Sequence, residues 1–121
     1  MSDLIEVVTT TARKDEAETI ARELVQRRLA ACVQIVGPIT SVYRWQGSVE
    51  HSQEWMCRIK TPRDLYEQVA AAIRELHSYE TPEIIAHAVL AADDQYEAWA
   101  TSQTGAHTNE KELKVSGHKS G

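Results

Sequence analysis

No apolar run in this sequence approaches the roughly 20 residues that a bilayer-crossing helix requires. The opening residues, MSDLIEVV, carry an early Asp and no basic stretch, so no secretory signal is expected. Cysteine is scarce: Cys32 and Cys57, without such a signal, point to free thiols in a reducing compartment, hence the cytoplasm. Basic clusters are limited to Arg13-Lys14 and Arg27-Arg28 in a chain of net charge −5. That balance argues against a nucleic-acid partner, which needs a basic face to neutralise phosphates. The five glycines lie too far apart for either nucleotide-binding fingerprint. No G-x-S-x-G elbow is present, and spacing pairs neither cysteine with a histidine, so a nucleophilic enzyme finds no support. His51, His77, His87, His107 and His118 show neither H-x-H nor H-E-x-x-H spacing.

What is present is enough for one small domain. The 121 residues are 42% hydrophobic and 26% charged, ordinary values for a globular protein. Leu4 to Thr10 is β-branched and reads as a strand. A helix is predicted from about Asp15 to Ala30, with Asp15 and Glu18 as a capping box and Arg27 and Arg28 in its last turn. Ala17, Ile20, Ala21, Leu24 and Val25 form its apolar stripe.

The segment from Cys32 to Thr61 reads as one long β-hairpin folded at Gln46-Gly47, with Gly37-Pro38 as a bulge or bend. Each arm is about twice the usual strand length of five or six residues. Tyr43, Trp45 and Trp55 lie on this ribbon, and a domain of this size has too few helices to cover it. Bulky aromatics on an overhanging ribbon predict an interface with another chain.

Thr61-Pro62-Arg63-Asp64 predicts the start of a second helix, with Thr61 as its cap and an apolar face through Leu65, Val69, Ile73 and Leu76. Ile84 to Leu90 is nearly all apolar, as a central strand covered on both sides would be. A short third helix, about Asp94 to Thr101, docks through Tyr96, Trp99 and Ala100. Residues 1–102 then form one domain, and residues 103–121 are expected to be a flexible polar tail. The order β-α-β-β-α-β followed by a helix predicts an α+β, ferredoxin-like sandwich with an extended central hairpin. Both long helices fall on one side of the sheet, and its other face is left bare.

Several motifs now converge. Ala30-Ala31-Cys32-Val33, Ser41-Val42-Tyr43-Arg44-Trp45-Gln46-Gly47, Glu54, Ile59-Lys60-Thr61 and Tyr79-Glu80-Thr81-Pro82-Glu83-Ile84-Ile85-Ala86 resemble the CutA family of divalent-cation tolerance proteins. The likeness spans Leu4 to Thr101. It implies a ferredoxin-like subunit in a tight homotrimer built through hairpins and sheet edges. It also implies an intracellular, non-enzymatic role in tolerance of copper and other divalent metals, with no required cofactor. The copper site of bacterial relatives resembles a Cys at the end of the first strand plus a His-His pair before the Tyr-x-x-Pro-Glu turn. Here those positions hold Thr10 and Leu76-His77, so His77 alone remains of a soft-ligand set.

Each candidate residue also has a plain structural reading. Cys32 can be a thiolate ligand or a small packed side chain, and Cys57 packs in the core. His77 can ligate a metal weakly or cap a helix C-terminus. His87 sits in an apolar strand as a core or interface histidine. Glu54, Lys60 and Glu83 can line a cleft between subunits, the carboxylates meeting hard cations and Lys60 an anion, or form interfacial salt bridges. A PII-like signalling trimer binding a small ligand or nucleotide shares the subunit fold, but the long loop and glycine segment of that class are not evident.

Overall fold

The structure, a computed structural model, describes residues 1–105. The elements run β1 (Leu4–Thr11), α1 (Lys14–Gln26), β2 (Cys32–Trp45), β3 (Ser48–Pro62), α2 (Tyr66–Leu76), β4 (Ile85–Ala88) and α3 (Asp94–Ser102). The strands form one antiparallel sheet in the order β2-β3-β1-β4, the ferredoxin-like arrangement expected. Period-two alternation sorts the side chains onto two faces. Val7, Ile59 and Val33 form one row of the helix-side face, and Thr9, Cys57 and Ile35 the next. Ile20 and Leu24 of α1 and Val69 and Ile73 of α2 seal this face, all fully buried.

Helix α1 ends earlier than its stripe suggests. Arg28 takes a left-handed φ of 61°. The Leu29 N–H then reaches the Leu24 carbonyl at 2.9 Å, and the Arg28 N–H reaches Val25 O at 3.1 Å. That pair of bonds is a Schellman closure, which normally selects glycine. Arg28 fills the position because its guanidinium bonds Ser102 O at 2.9 Å, while its own carbonyl accepts from the Gly105 N–H at 3.0 Å. Arg27 pairs with Glu23 and Glu75 instead of serving the last turn.

Other start signals are also used differently. Arg13 is the N-cap of α1 and makes no side-chain cap bond. Thr61 caps nothing: its hydroxyl donates to Leu29 O at 2.7 Å. Strand β3 runs on to Pro62, and a 3-10 turn (Arg63–Leu65) precedes α2. The apolar run after Pro82 yields an edge strand, not a central one, since β4 pairs with β1 alone and its four residues are exposed. Thr104 is buried, with its hydroxyl donating to Ala100 O at 3.2 Å. Residues 103–105 therefore belong to the packed unit, and the rest of the expected tail lies outside the described residues.

The face opposite α1 and α2 is partly covered. Helix α3 lies over one end of it through Ala100, Tyr96 and Trp99, against Leu4 and Ala31. The hairpin is as long as predicted, with arms of 14 and 15 residues. Its turn places Gln46 and Gly47 at φ 49° and 83°, the two positive values that a tight hairpin turn needs. Strand β1 stops opposite Trp55, so every pair from Ile39–Glu54 to Trp45–Ser48 has no third strand.

The bulge between Val36 and Ile39 has a packing reason. A Cβ on Gly37 would lie 2.5 Å from Cδ1 of Trp55, whose indole rests on this backbone. Gly37→Ala should therefore lower stability by about 1–3 kcal/mol through overpacking, read as a lower urea midpoint at unchanged slope. An unaltered midpoint would refute the contact.

Candidate functional site

The segment from His77 to Ile84 crosses the end of the sheet and is fastened by a partly buried polar network. His77 leaves α2 as its C-cap residue with extended backbone. Its Nε2 donates to Thr10 O at 2.8 Å, and its Nδ1 accepts from the Tyr79 N–H at 3.0 Å. That pattern requires the neutral Nε2–H tautomer. Glu16, from the first turn of α1, accepts from Ser78 N at 2.7 Å and Ser78 Oγ at 3.1 Å. Tyr79 stacks tilted on His77 with ring centres 4.7 Å apart, and its hydroxyl donates to Glu54 Oε2 at 2.7 Å. One short segment is thus tied to α1, β1 and β3, which delivers β4 to the edge of β1.

These groups are poorly suited to proton transfer or nucleophilic attack. Burial, then the bond to Glu54, holds the Tyr79 phenol well above its ordinary range. Burial, with the Glu16 charge added, pushes the Cys57 thiol up to about 11, so it stays protonated at neutral pH. Its sulfur donates to Ala17 O instead.

A second polar cluster occupies the open face. Register places Cys32, Lys60, Glu6 and His87 in one cross-strand row, and Gln34, Arg58, Val8 and Ile85 in the next. Glu6 Oε2 accepts from Arg58 Nε at 3.0 Å and lies 3.1 Å from Lys60 Nζ. Lys60 also donates to Gln34 Oε1 at 2.8 Å. Burial alone would raise the Glu6 pKa, but the bonds from Lys60 and Arg58 outweigh it and hold the carboxyl below its usual range. The face expected to be left bare therefore carries an ion network at its centre.

The residues singled out from the sequence do not converge within one chain. Cys32 Sγ meets Tyr96 OH at 3.4 Å, and burial followed by this contact raises the Tyr96 phenol to about 12. His77 lies beside Thr10, two rows along the sheet from Cys32, with both ring nitrogens engaged. The Thr10–His77 contact brings those two positions together, but it runs to the Thr10 main-chain carbonyl, and Thr10 has a hydroxyl where a thiolate would be needed. Among the described residues no three His, Cys, Asp or Glu side chains cluster as a metal cage. A soft-metal site does not fit this donor set.

Glu54 is buried against Tyr79, Lys60 sits mid-face, and Glu83 is exposed on the approach to β4. Tyr43 and Trp45 are exposed near the hairpin tip, joined there by Val42 and Val49. Trp55, grouped with them on the sequence, packs against the protein's own core. Glu16, Ser78 and Glu6 were not singled out on the sequence. Their roles depend on contacts 62 and 52 residues apart, which local spacing does not encode.

Tyr79→Phe keeps the ring stack but strands the buried Glu54 carboxylate, and should cost about 1–3 kcal/mol in urea unfolding. Loss of less than a few tenths would sink the claim. Because the Glu6 pKa is lower folded than unfolded, its contribution is full above the unfolded carboxyl value. It fades as pH falls through the folded one. The stability difference between the parent and Glu6→Gln should therefore shrink on acidification below the ordinary carboxylate range. A difference independent of pH would contradict the ion network.

Comparison with known proteins accords with this architecture. Residues 5–103 match the model of the CutA1 divalent ion tolerance protein family. The chain is 42% identical over 101 residues to the divalent-cation tolerance protein CutA of Thermus thermophilus, covering 83% of this chain and 98% of that one. It is 36% identical over 100 residues to the chloroplastic CutA of Arabidopsis thaliana, and spans 55% of that longer relative. Among solved structures, CutA from Xylella fastidiosa superposes with a TM-score of 0.84 at 36% identity, covering 86% of this chain and all of the other. A homologue from Archaeoglobus fulgidus, described as a periplasmic divalent cation tolerance protein, gives 0.78 at 32% identity over 80% of this chain and 94% of its own. An α+β sandwich of this topology, with matches of this extent, makes the chain a member of the CutA1 divalent ion tolerance family.

Proposed function

We propose that this chain works as a non-enzymatic homotrimer in the cellular response to divalent metal ions, copper among them, in the cytoplasm. The observation that carries the reading is the hairpin beyond Trp55. Val42, Tyr43, Trp45 and Val49 are 43–68% exposed there, on a ribbon without a third strand. Exposed apolar groups on both faces of a ribbon are a liability for a lone molecule and an asset in an assembly. The unpaired edge of β4 offers backbone donors and acceptors to the same purpose.

Metal binding in this reading is weak and uses hard oxygen ligands at subunit clefts, where Glu83 and Glu54 are the candidate carboxylates. His77 has both ring nitrogens engaged within its own subunit, and among the described residues Cys32 belongs to no group of three metal-ligating side chains. No helix among the described residues is long and apolar enough to cross a membrane.

Sedimentation and calorimetry on the full chain test the reading together. The expected results are a mass three times that of the chain, and copper or zinc binding no tighter than micromolar. ATP binding below micromolar would favour a PII-like sensor instead. Trp45→Ala should shift the assembly toward smaller species while the far-ultraviolet spectrum stays unchanged. A parent of single-chain mass, or an unaltered Trp45→Ala assembly, would overturn the interface.

A further inference from the structure

The open face of the sheet has more cation than anion. Arg58 and Lys60 both lean on a single carboxylate oxygen, Glu6 Oε2, so one of the two positive charges has no negative partner there. Glu6 is the sole acid in the two rows that contain them. The remaining polar groups around the pair lean toward donation. Gln34 uses its carbonyl oxygen to accept from Lys60, which leaves its amide N–H groups free to face outward. Arg58 turns Nε and one N–H of Nη2 toward Glu6, which leaves the other Nη2 N–H and both of Nη1 for another acceptor. His87 stands at the end of the Glu6 row.

The setting strengthens whatever anion arrives. Val8 and, beyond it, Ile85 lie on the β1 side of Arg58 in its row, and Val36 and Met56 occupy the next row on β2 and β3. Helix α3 walls the end of the face at Cys32 through Tyr96. The Lys60 and Glu6 side chains are only 19% and 15% exposed, while Arg58 at 47% remains reachable. A partly desolvated guanidinium on an apolar floor attracts an oxyanion far more than one in bulk water does.

The geometry points to an oxyanion-binding site on this face, with Arg58 as the bidentate ligand and Lys60 and Gln34 as supporting donors. Its ligand class is a small multivalent oxyanion, a phosphate or a polycarboxylate. The site is complete within one chain and does not rest on the trimer. In a trimer that brings open faces together, the same residual charge would be repeated three times, and an anion would offset it.

Inorganic phosphate and citrate, titrated into the full chain against chloride at matched ionic strength, test the site by calorimetry and by phosphorus NMR line broadening. Saturable binding is expected, at least tenfold weaker in Arg58→Gln and unchanged in Arg22→Gln on the exposed helix surface. A conservative Arg58→Lys should restore part of it. No binding beyond chloride, or binding indifferent to Arg58→Gln, would overturn the site. Sedimentation of the same samples separates the two proposals. A trimer that ignores phosphate overturns only this inference, and a monomer that binds it overturns only the assembly. If the parent ignores phosphate and Arg58→Gln changes the mass, an acid from a neighbouring copy fills the position, and the oxyanion site is likewise overturned.

Discussion

Beyond Trp55 the two arms of the hairpin have only each other, and this constraint shapes the rest of the molecule. A two-stranded ribbon is marginal alone in water. Here it is anchored because β3 continues directly into the core through Cys57 and Ile59. The sheet body supplies rigidity and the ribbon borrows it. Gly37 under the Trp55 indole marks the junction, where the strand must come close enough to support the ring.

The body solves a different problem, that of bringing β4 to the edge of β1 across the end of the sheet. Apolar packing does little there, since the crossing segment is polar. Glu16, His77, Ser78, Tyr79 and Glu54 satisfy one another instead, and the Thr10 carbonyl completes the set. A partly buried network whose members satisfy one another fixes one geometry at little net cost, whereas deleting the partner of a buried member leaves an expensive orphan. In this way His77 serves the structure of its own subunit.

The fold was legible because its signals are periodic. The spacing of Ala17, Ile20 and Leu24 in α1 and the Gln46-Gly47 turn act locally and appear where expected, while Val25 at the end of the α1 stripe is exposed. The misreadings share a cause, since in each case a distant contact overrode a local preference. Thr61 looks like a cap but serves Leu29. Arg28 holds a glycine position because α3 and Gly105 pay for its backbone. The Ile84–Leu90 run looks central because its apolarity is that of a covered strand, yet in the single chain its far edge is open. Of the candidate sites, exposure at Tyr43 and Trp45 was readable from the length of the ribbon. The shared Glu6 partner of Arg58 and Lys60 was not, because it depends on register between strands more than fifty residues apart.

The continuity of β3 from tip to core couples two events that might have been separate. Whatever seats Trp45 and Val49 also steadies a strand whose inner half lies at the centre of the packed interior. In the proposed assembly, resistance to heat becomes a property of the population as well as of the molecule, greater in a crowded solution than in a thin one.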